Sequence, residues 1–387
     1  ISGHDQSEWA VTMGRNTHQW HRLHRQAGCA RFVWNRAVEL TRSYRARGEA
    51  VPNYAALSQH LRPWKQTYLF LATDAHSQVL QQKLRDLDKA WAACFDPQRP
   101  WMAEPRFKKR GDGDSIRFPQ GFAVEGNRLK LPKVGRVRFR KSRNLPAGAE
   151  VRSVVVTRDG DHWFAHLQCT MPMADPGYHP AHNLIGLDLG VARFLTASDG
   201  TVFPAITARY ERLQRQLVTE QRRLARKGKG SNNRAKQRKR VASVHRKLRN
   251  IRHDFAHQVS TALAKSHGWI AVEDLNVGNM TKSAAGTVDN PGTNVRQKAG
   301  LNRSILTQGW GQFLAKLDYK LAERGGDLVR VDPAHTSQMC PACGHTDSAN
   351  RPSQAKFACR ACSHTDHADH VGAINVRARG MEALASA

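Results

Sequence analysis

Apolar residues in the first quarter of the chain recur at the spacing of one face of an α-helix. The clearest stripe consists of four such residues, Leu80, Leu84, Leu87 and Trp91. Residues 1–95 are therefore predicted to be mostly helical. After about residue 105, apolar and polar residues alternate between Gly and Pro, which is typical of short antiparallel strands. This alternation predicts a small β-barrel or sandwich over residues 105–173, with a hairpin turn at "RDGD".

From Asn183 onward, short apolar strands are mixed with long helices. The predicted strands are "LIGLDLGV", "TVFP", "WIAVEDL" and "DLVRVDP". Residues 208–265 have the apolar spacing of a helical hairpin, with its tip at "GKGSNN". Gly, Asn, Thr and Ser are frequent in residues 278–303, which are predicted to be a mobile loop. One helix is expected over "SILTQGWGQFLAKLDYKLAERGG", which ends in two glycines, and a short last helix from about Val371.

The charge balance changes this picture, because it is far from that of an ordinary globular protein. The 387 residues include 61 Lys and Arg against 32 Asp and Glu, a formal net charge of +29 at pH 7. Such a surplus indicates a polyanionic partner, and nucleic acid is favoured over a membrane surface. The sequence has no apolar run of roughly 20 residues and no secretion signal at its start, so we expect a soluble, cytoplasmic protein without a membrane partner.

Two basic segments are candidate nucleic-acid contacts. Residues 222–252 contain 14 Lys or Arg and no acid, so phosphate binding is favoured over a merely solvated helix face. A second basic patch surrounds Phe107, a ring that can stack on a base or pack inward. The candidate contacts are Arg106, Lys108, Lys109, Lys227, Lys229, Arg238, Lys239, Arg240, Arg246 and Lys247.

Four of the seven cysteines form two CxxC pairs, "CPAC" and "CRAC", with 15 residues between them. Each pair can offer two thiolates to one metal, and two pairs complete a tetrahedral zinc site. One structural Zn²⁺ is predicted rather than two redox dithiols, because four thiolates leave no position for a catalytic water. The predicted ligands are Cys340, Cys343, Cys359 and Cys362.

Three acids stand where an apolar strand or a cysteine knuckle ends, namely Asp188, Glu273 and Asp369. A single Asp after a strand is usually a cap or a turn former. Three acids brought together repel one another unless cations lie between them, and two Mg²⁺ ions bridged by carboxylates suit phosphodiester cleavage. The nearby alternatives are Asp199, Asp274 and Asp366. The first two are expected in turns or facing outward, whereas the last competes for the third position.

The order of these motifs along the chain resembles a known family. "GLDLGV", a basic helical insertion, "VEDL" and "CPAC…CRAC" followed by an Asp resemble the split RuvC nuclease of insertion-sequence-encoded TnpB proteins and of the related compact type V CRISPR effectors. The segments "CARFVWNRAVEL", "EPRFKKRGDGDSIRFPQG", "VEDLNVGNM" and "HTSQMCPACGH" also resemble TnpB sequences. The similarity extends from about Cys29 to Val376.

The resemblance implies an α+β multidomain fold with five segments. They are a helical recognition lobe with a possible first wedge strand (1–100), a small β-barrel wedge domain (101–180), a RuvC-like (RNase H-like) α/β nuclease with a basic helical insertion (181–335), a zinc ribbon that binds target nucleic acid (336–364), and the last RuvC segment with the C-terminal tail (365–387). By motif position, Asp188, Glu273 and Asp369 correspond to the family's catalytic, metal-binding acids, and the four cysteines correspond to its zinc ligands.

The implied activity is RNA-guided, Mg²⁺-dependent cleavage of double-stranded DNA in a single RuvC site, with two catalytic Mg²⁺ ions and one structural Zn²⁺. The implied partners are a guide RNA and a target DNA that is chosen beside a short flanking motif, at the prokaryotic nucleoid. The alternatives are a nuclease-weak RNA-guided DNA-binding protein and an unguided RuvC-like transposon nuclease. The sequence leaves open whether the guide comes from a transposon end or a CRISPR array, and whether the protein is a monomer or a dimer on RNA.

The chain departs from the family pattern at three places. Val371 replaces the first Asn of the terminal D-x-N-A-A-x-N motif, and Ser363 follows the second knuckle where Gly is common. Residues 1–20 do not match the usual opening strand, so the first wedge strand is expected to be truncated or diverged. Because all three acids are present, an active nuclease is favoured over an inactivated relative.

Overall fold

The computed structural model describes residues 8–13, 17–111, 113–142, 144–171, 175–205, 208–287 and 289–386. The chain divides into two compact units, Ile1–Pro172 and Met173–Ala387. Among the described residues, no helix combines the length and the apolar character that crossing a lipid bilayer would require.

The first unit begins with a strand and a group of helices. These elements are β1 (Glu8–Met13), α1 (Thr17–Ala46), α2 (Tyr54–Gln59), α3 (Leu61–Thr67), α4 (Leu69–Thr73) and α5 (Ser77–Phe95). The predicted apolar stripe of α5 is buried and shares a core with Val33 and Val38 of α1. The prediction that this part of the chain is mostly helical is confirmed.

The remainder of the first unit is an antiparallel sheet. Its strands after β1 are β2 (Ser115–Phe118), β3 (Ala123–Glu125), β4 (Arg128–Leu131), β5 (Gly135–Arg140), β6 (Glu150–Asp159) and β7 (His162–Thr170). Within the described ranges the strand order is β2-β6-β7-β1-β5-β4-β3. The β6–β7 hairpin turns at Gly160, whose φ of 59° confirms the predicted turn at "RDGD". β1 pairs with both β7 and β5, so of the two expectations for the first strand, truncated or diverged, the pairing favours a strand that is present but diverged.

The second unit is built on a mixed sheet covered by helices on both faces. Its strands are β8 (Leu184–Leu189), β9 (Arg193–Ala197), β10 (Val202–Pro204), β11 (Trp269–Glu273) and β12 (Asp327–Val331). Its helices are α6 (Ala208–Ala225), α7 (Asn232–Ser266), α8 (Val277–Met280), α9 (Val295–Gln308), α10 (Trp310–Ala322) and α11 (Ala368–Ala385). The described strands run in the order β10-β9-β8-β11-β12, with β8, β11 and β12 parallel to one another.

The alternation of side chains along β8 decides which helices cover each face of this sheet. Ile185 and Leu187 pack into a core with apolar residues of α7 and α10. Leu184 and Gly186 face the other way, toward α11. Because Asp188 is two residues after Gly186, it lies on the α11 face of the sheet.

The helical hairpin predicted over residues 208–265 is formed by α6 and α7, and "GKGSNN" spans its tip as predicted. A buried polar pair fixes the register of the two helices, since the Gln237 amide donates to the Glu220 carboxylate and to its backbone carbonyl. The Arg234 guanidinium donates to the carbonyls of Leu224 and Lys227, at 2.8 and 2.7 Å, and caps the end of α6.

Three other predictions about this unit need correction. Residues 278–303 are not one loop, because α9 begins at Val295 and is tied to the preceding segment by the Lys298 ammonium, which donates to the Met280 carbonyl at 2.7 Å. The helix expected from Ser304 is interrupted at Gly309, whose φ of 70° separates α9 from α10. The last helix begins at Ala368, before the expected start, and its 18 residues make it longer than predicted.

Candidate catalytic centre and zinc site

Strand register brings the first two predicted acids together. β8 and β11 are parallel, and Leu187 pairs with Val272. Continuing this register by one residue sets Asp188 beside Glu273, at the carboxyl ends of both strands. Such an edge of a parallel sheet is where α/β proteins commonly place their sites.

Helix α11 brings the third acid to the same place. It lies so close to β8 that a Cβ at Gly186 would overlap the backbone of Ala373 and Arg377. At the residue before Ala373 on α11, a Cβ at Gly372 would lie 3.4 Å from the Asp188 carboxyl carbon, an ordinary contact distance. Gly186 of "LIGLDLGV" therefore lets the helix approach the strand. Asp369 is in the first turn of that helix.

The environment of the first two acids is largely buried, and Asp188 also experiences the charges of the other two. Burial, followed by the charges of Glu273 and Asp369, raises the pKa of Asp188 to about 8. Burial also raises the pKa of Glu273, although a hydrogen bond from Thr336 and the nearby Arg379 and Arg351 oppose this effect. A cluster of this kind is unfavourable for ionised acids unless cations are bound among them.

A hydrogen-bond chain supports Glu273 from the segment that leads into the first cysteine knuckle. The Thr336 hydroxyl donates to Glu273 Oε1, and the backbone carbonyl of Thr336 accepts from the Asn375 side chain at 2.7 Å. Asn375 is the last Asn of the terminal motif and is buried. Asn375 therefore connects α11 to the loop that orients the second acid.

The donor set fits Mg²⁺, because three carboxylates supply the oxygen ligands that this ion prefers and carry the charge that it would neutralise. Among the described residues, the oxygens of the three acids do not all lie within 4.8 Å of one another, whereas the four cysteine sulfurs do.

The three alternative acids have other partners. Asp199 is exposed and accepts a hydrogen bond from the Thr201 amide at 2.8 Å, as expected for a turn residue. Asp274 is exposed and lies 3.6 Å from the Arg330 guanidinium. The Asp366 carboxylate lies 2.7 Å from His370 Nδ1, so it is engaged outside the cluster.

The four cysteines form a site that matches tetrahedral zinc. The Sγ atoms of Cys340 and Cys362 are 3.6 Å apart, as are those of Cys343 and Cys359. Four sulfurs at about 2.3 Å from a central zinc ion are separated by roughly 3.8 Å, so these distances fit without rearrangement. Backbone amides of Cys362 and Ala361 point at the Cys359 sulfur, and the Cys362 amide contributes most to lowering its pKa to about 6.

The two knuckles have the same backbone geometry. The Gly344 amide donates to the Cys340 carbonyl at 2.9 Å, and the Ser363 amide donates to the Cys359 carbonyl at 3.2 Å. Both residues have positive φ, 75° for Gly344 and 58° for Ser363. The departure at Ser363 therefore falls at a position that favours glycine.

The zinc ribbon and the start of α11 share one small core. The ribbon's strands β13 (Lys356–Ala358) and β14 (Thr365–His367) pair, and α11 follows directly. The core contains Cys340, Phe357, Cys359, Ala368 and Val371. Val371 is fully buried there, which gives a physical reason for an apolar residue in place of the family's Asn.

The candidate nucleic-acid contacts on the α6–α7 hairpin are mostly at the surface. Lys227 and Arg246 are half-buried, whereas the other five are exposed: Lys229, Arg238, Lys239, Arg240 and Lys247. In the first unit, Arg106 and Lys109 are exposed, but the Lys108 ammonium lies 3.8 Å from the centre of the Trp34 ring. Phe107 is 49% exposed, with the Arg42 guanidinium 5.1 Å from its ring centre.

Sequence reasoning did not single out the residues that support the acids. Thr336 is within "HTSQMC", a segment noted only for its resemblance to the family. Arg351 and Arg379 carried no signal, because their proximity to Glu273 arises only when the ribbon and α11 fold over the sheet.

Comparison with known proteins places these features in a family. The OrfB_IS605 family model, described as "Probable transposase", matches residues 166–284, and the "Cas12f1-like, TNB domain" model matches residues 310–376. A "Helix-turn-helix domain" model matches residues 16–50, although residues 17–46 of this protein form the single helix α1.

Two curated relatives and one solved structure extend the match. A protein of Escherichia coli strain K12 named as an RNA-guided DNA endonuclease, InsQ, is 44% identical over 94% of this chain and 89% of its own length. A Streptomyces pristinaespiralis protein, also named as an RNA-guided DNA endonuclease, is 33% identical over 83% of this chain and 76% of its own length. The cryo-EM structure titled as a Cas12f1–sgRNA–target DNA complex matches with a TM-score of 0.51 and 14% identity, covering 93% of this chain and 82% of that one, which shows a common fold. The chain therefore belongs to the TnpB family of insertion-sequence-encoded proteins.

Proposed function

We propose that this protein is an RNA-guided endonuclease that cuts both strands of a target DNA in one RuvC-like, Mg²⁺-dependent site. The observation that carries the proposal is the meeting of Asp188, Glu273 and Asp369, from β8, β11 and α11, at one edge of the sheet. The names of the curated relatives support RNA guidance and DNA cleavage.

The three acids would hold two Mg²⁺ ions, which when bound stabilise the attacking and leaving oxygens of the scissile phosphodiester. Residues of the chain itself prepare this site. Thr336 fixes the orientation of the Glu273 carboxylate, and Arg351 and Arg379 add positive charge that attracts a phosphate to a cluster of acids. The zinc ribbon would hold the start of α11, and with it Asp369, in place.

Target choice would be divided between base pairing and protein contacts. The guide RNA would pair with one DNA strand, while the protein reads a short flanking motif and the shape of the backbone. The exposed basic residues of α7 and of the patch around Phe107 would bind phosphates of these nucleic acids. The site of action would be the cytoplasm, at the nucleoid, where both partners are found.

Sequencing of the RNA that copurifies with the protein, expressed with its native flanking DNA, tests guidance directly. We expect one discrete RNA with a constant scaffold and a terminal guide segment, whose origin shows whether it comes from a transposon end or a repeat array. Heterogeneous RNA, together with DNA cutting by RNA-free protein, would favour an unguided transposon nuclease.

Neutral substitutions of the acids test the catalytic assignment. We expect Asp188→Asn or Glu273→Gln to reduce cutting of a plasmid target by about 10³-fold or more at unchanged RNA affinity, because a metal ligand worth several kcal/mol is lost. Asp274→Asn is the matched control, since it changes the exposed acid beside Glu273 and should leave cutting intact. Undiminished cutting by both cluster variants would refute the assignment, and target binding without cutting by the wild type would favour the nuclease-weak alternative.

A further inference from the structure

A cavity in the second unit lies away from the three acids and the zinc ligands. Its volume is about 440 Å³, within the roughly 300–1,000 Å³ of small-molecule sites. Its walls come from α7, from α9 and from the segment after α8, where Thr281, Ser283 and Ala284 line it. None of the residues assigned above to catalysis or to zinc contributes to it.

The charge of the lining is entirely positive. Arg252 of α7 and Arg303 of α9 contribute to the walls, and no Asp or Glu is among the described residues that line the cavity. Two guanidinium groups without an acid among the described lining residues are suited to phosphate, which can accept two parallel hydrogen bonds from an Arg.

The remaining walls combine apolar and polar groups. Val295, Ala299 and Leu306 of α9 offer an apolar surface, and Leu306 is 56% exposed although it is a large apolar residue. Asn302 is held in place because its side-chain amide donates to the Thr281 and Lys282 carbonyls, at 2.9 and 3.2 Å. These features match the three parts of a nucleotide. The apolar surface suits the flat base, the fixed polar groups suit the sugar, and the two Arg side chains suit the phosphate.

The cavity also lies at the end of a basic strip on α7. Arg238, His245, Arg249 and Arg252 follow at intervals of seven, four and three residues, which places them on one side of the helix. From Arg238 to Arg252 the strip is about 21 Å long, at 1.5 Å per residue. A nucleic-acid backbone that follows this strip reaches the cavity. Binding of a freely diffusing metabolite would not require the strip, so the strip favours a nucleic acid as the ligand.

We propose that this cavity holds one unpaired nucleotide of the bound nucleic acid, with its phosphate on Arg252 and Arg303 and its base against Ala299 and Leu306. The inference rests on the proposed function, because it needs a bound nucleic acid. It adds a contact outside the guide–target pairing, one that fixes the position of the strand by its backbone and by one extruded base.

Photo-crosslinking of the complete protein–RNA–DNA complex tests the proposal. Two complexes are compared, one with 4-thiouridine in the guide RNA and one with 4-thiothymidine in the target DNA, and the crosslinked peptides are identified by mass spectrometry. We expect an adduct within residues 281–307 in one of the two, and the labelled strand tells which nucleic acid supplies the nucleotide.

Two substitutions make this result specific. Ala299→Trp fills the cavity and should reduce the adduct at least fivefold, whereas Gln297→Trp places the same ring at an exposed position of α9 outside the cavity and should leave it unchanged. Arg303→Ala should weaken binding of the labelled strand about tenfold and lower the slope of log K against log salt concentration by about one. Arg296→Ala, on the same helix but outside the lining, is its control.

The outcomes separate this inference from the proposed function. A wild-type complex that forms and cuts its target, but gives no adduct within residues 281–307 from either strand, overturns the nucleotide site alone. Equal adducts with Ala299→Trp and Gln297→Trp overturn it as well. A wild-type protein that binds neither RNA nor DNA overturns both proposals.

Discussion

At the scale of single residues, Asp188 shows how an acid is accommodated in an apolar strand. Leu187 and Leu189 on either side of it are buried in the core, whereas Asp188 points to the opposite face, where the other two acids lie. Its position could be predicted from the sequence because the alternation along the strand is visible there. The contributions of Thr336 and Arg351 could not be predicted, since both are distant in the chain and approach Glu273 only in the folded unit.

Ser363 leads to a prediction about the stability of the zinc ribbon. Because it has a φ of 58°, replacing it with glycine should stabilise the folded ribbon by about 1 kcal/mol. The measurement is the rate of zinc release to a chromogenic chelator, which should fall in Ser363→Gly.

The first knuckle supplies the reciprocal control. Gly344→Ser introduces at the equivalent turn the strain that Ser363→Gly removes, so it should speed zinc release. Equal release rates for both variants and the wild type would show that φ at these turns has no part in the stability of the ribbon.

At the scale of elements, the contact between α11 and β8 decides whether the third acid reaches the site. The helix approaches the strand at Gly186, and the sequence around this glycine predicts the acid at Asp188 but not the close packing that the glycine permits. Composition misled the prediction for α9 in a similar way. Its Gly, Asn and Ser residues are typical of loops, but Ile305 is buried in the core and Lys298 anchors the helix to the preceding segment.

Gly186→Ala tests the role of this contact. The added methyl group would overlap the backbone of α11, so we expect a loss of about 3 kcal/mol or more in the free energy of unfolding, measured by denaturant titration, together with a loss of cutting.

Gly372→Ala is the matched variant on the helix side of the same contact. Its methyl group has room beside Asp188, and alanine favours the helix, so stability should be unchanged or increase by up to about 1 kcal/mol. If both substitutions destabilised the protein to a similar extent, the close approach of α11 to β8 at Gly186 would not be the cause of the loss.

At the scale of the whole molecule, the net charge of +29 includes a dense run of Lys and Arg on the α6–α7 hairpin. The hairpin and its basic run could be predicted from periodicity and composition. The sequence could not predict which of these Lys and Arg side chains contact the protein rather than a ligand, because those contacts depend on how the helices pack. Arg234 caps α6, and Arg223 pairs with Glu220 at 2.9 Å, so part of this charge has a structural role.

Neutralising Arg238, Lys239 and Arg240 together, each to Gln, should weaken RNA binding and lower the slope of log K against log salt concentration by about two to three. The control keeps the charge by exchanging Lys and Arg at the same positions. Anisotropy titrations at several salt concentrations give the slope, and a slope equal to that of the wild type would show that this face of α7 does not contact phosphate.

The core shared by the zinc ribbon and α11 has a thermodynamic consequence. Cys340 and Cys359 bury their side chains in the same small cluster as Ala368 and Val371, next to the third acid. A cluster of this size has little stability of its own, so the free energy of zinc binding at the four cysteines would also order the first turn of α11. The proposed zinc and Mg²⁺ sites would therefore be linked, and occupancy of the thiolate site would set the fraction of molecules in which the three carboxylates are held together.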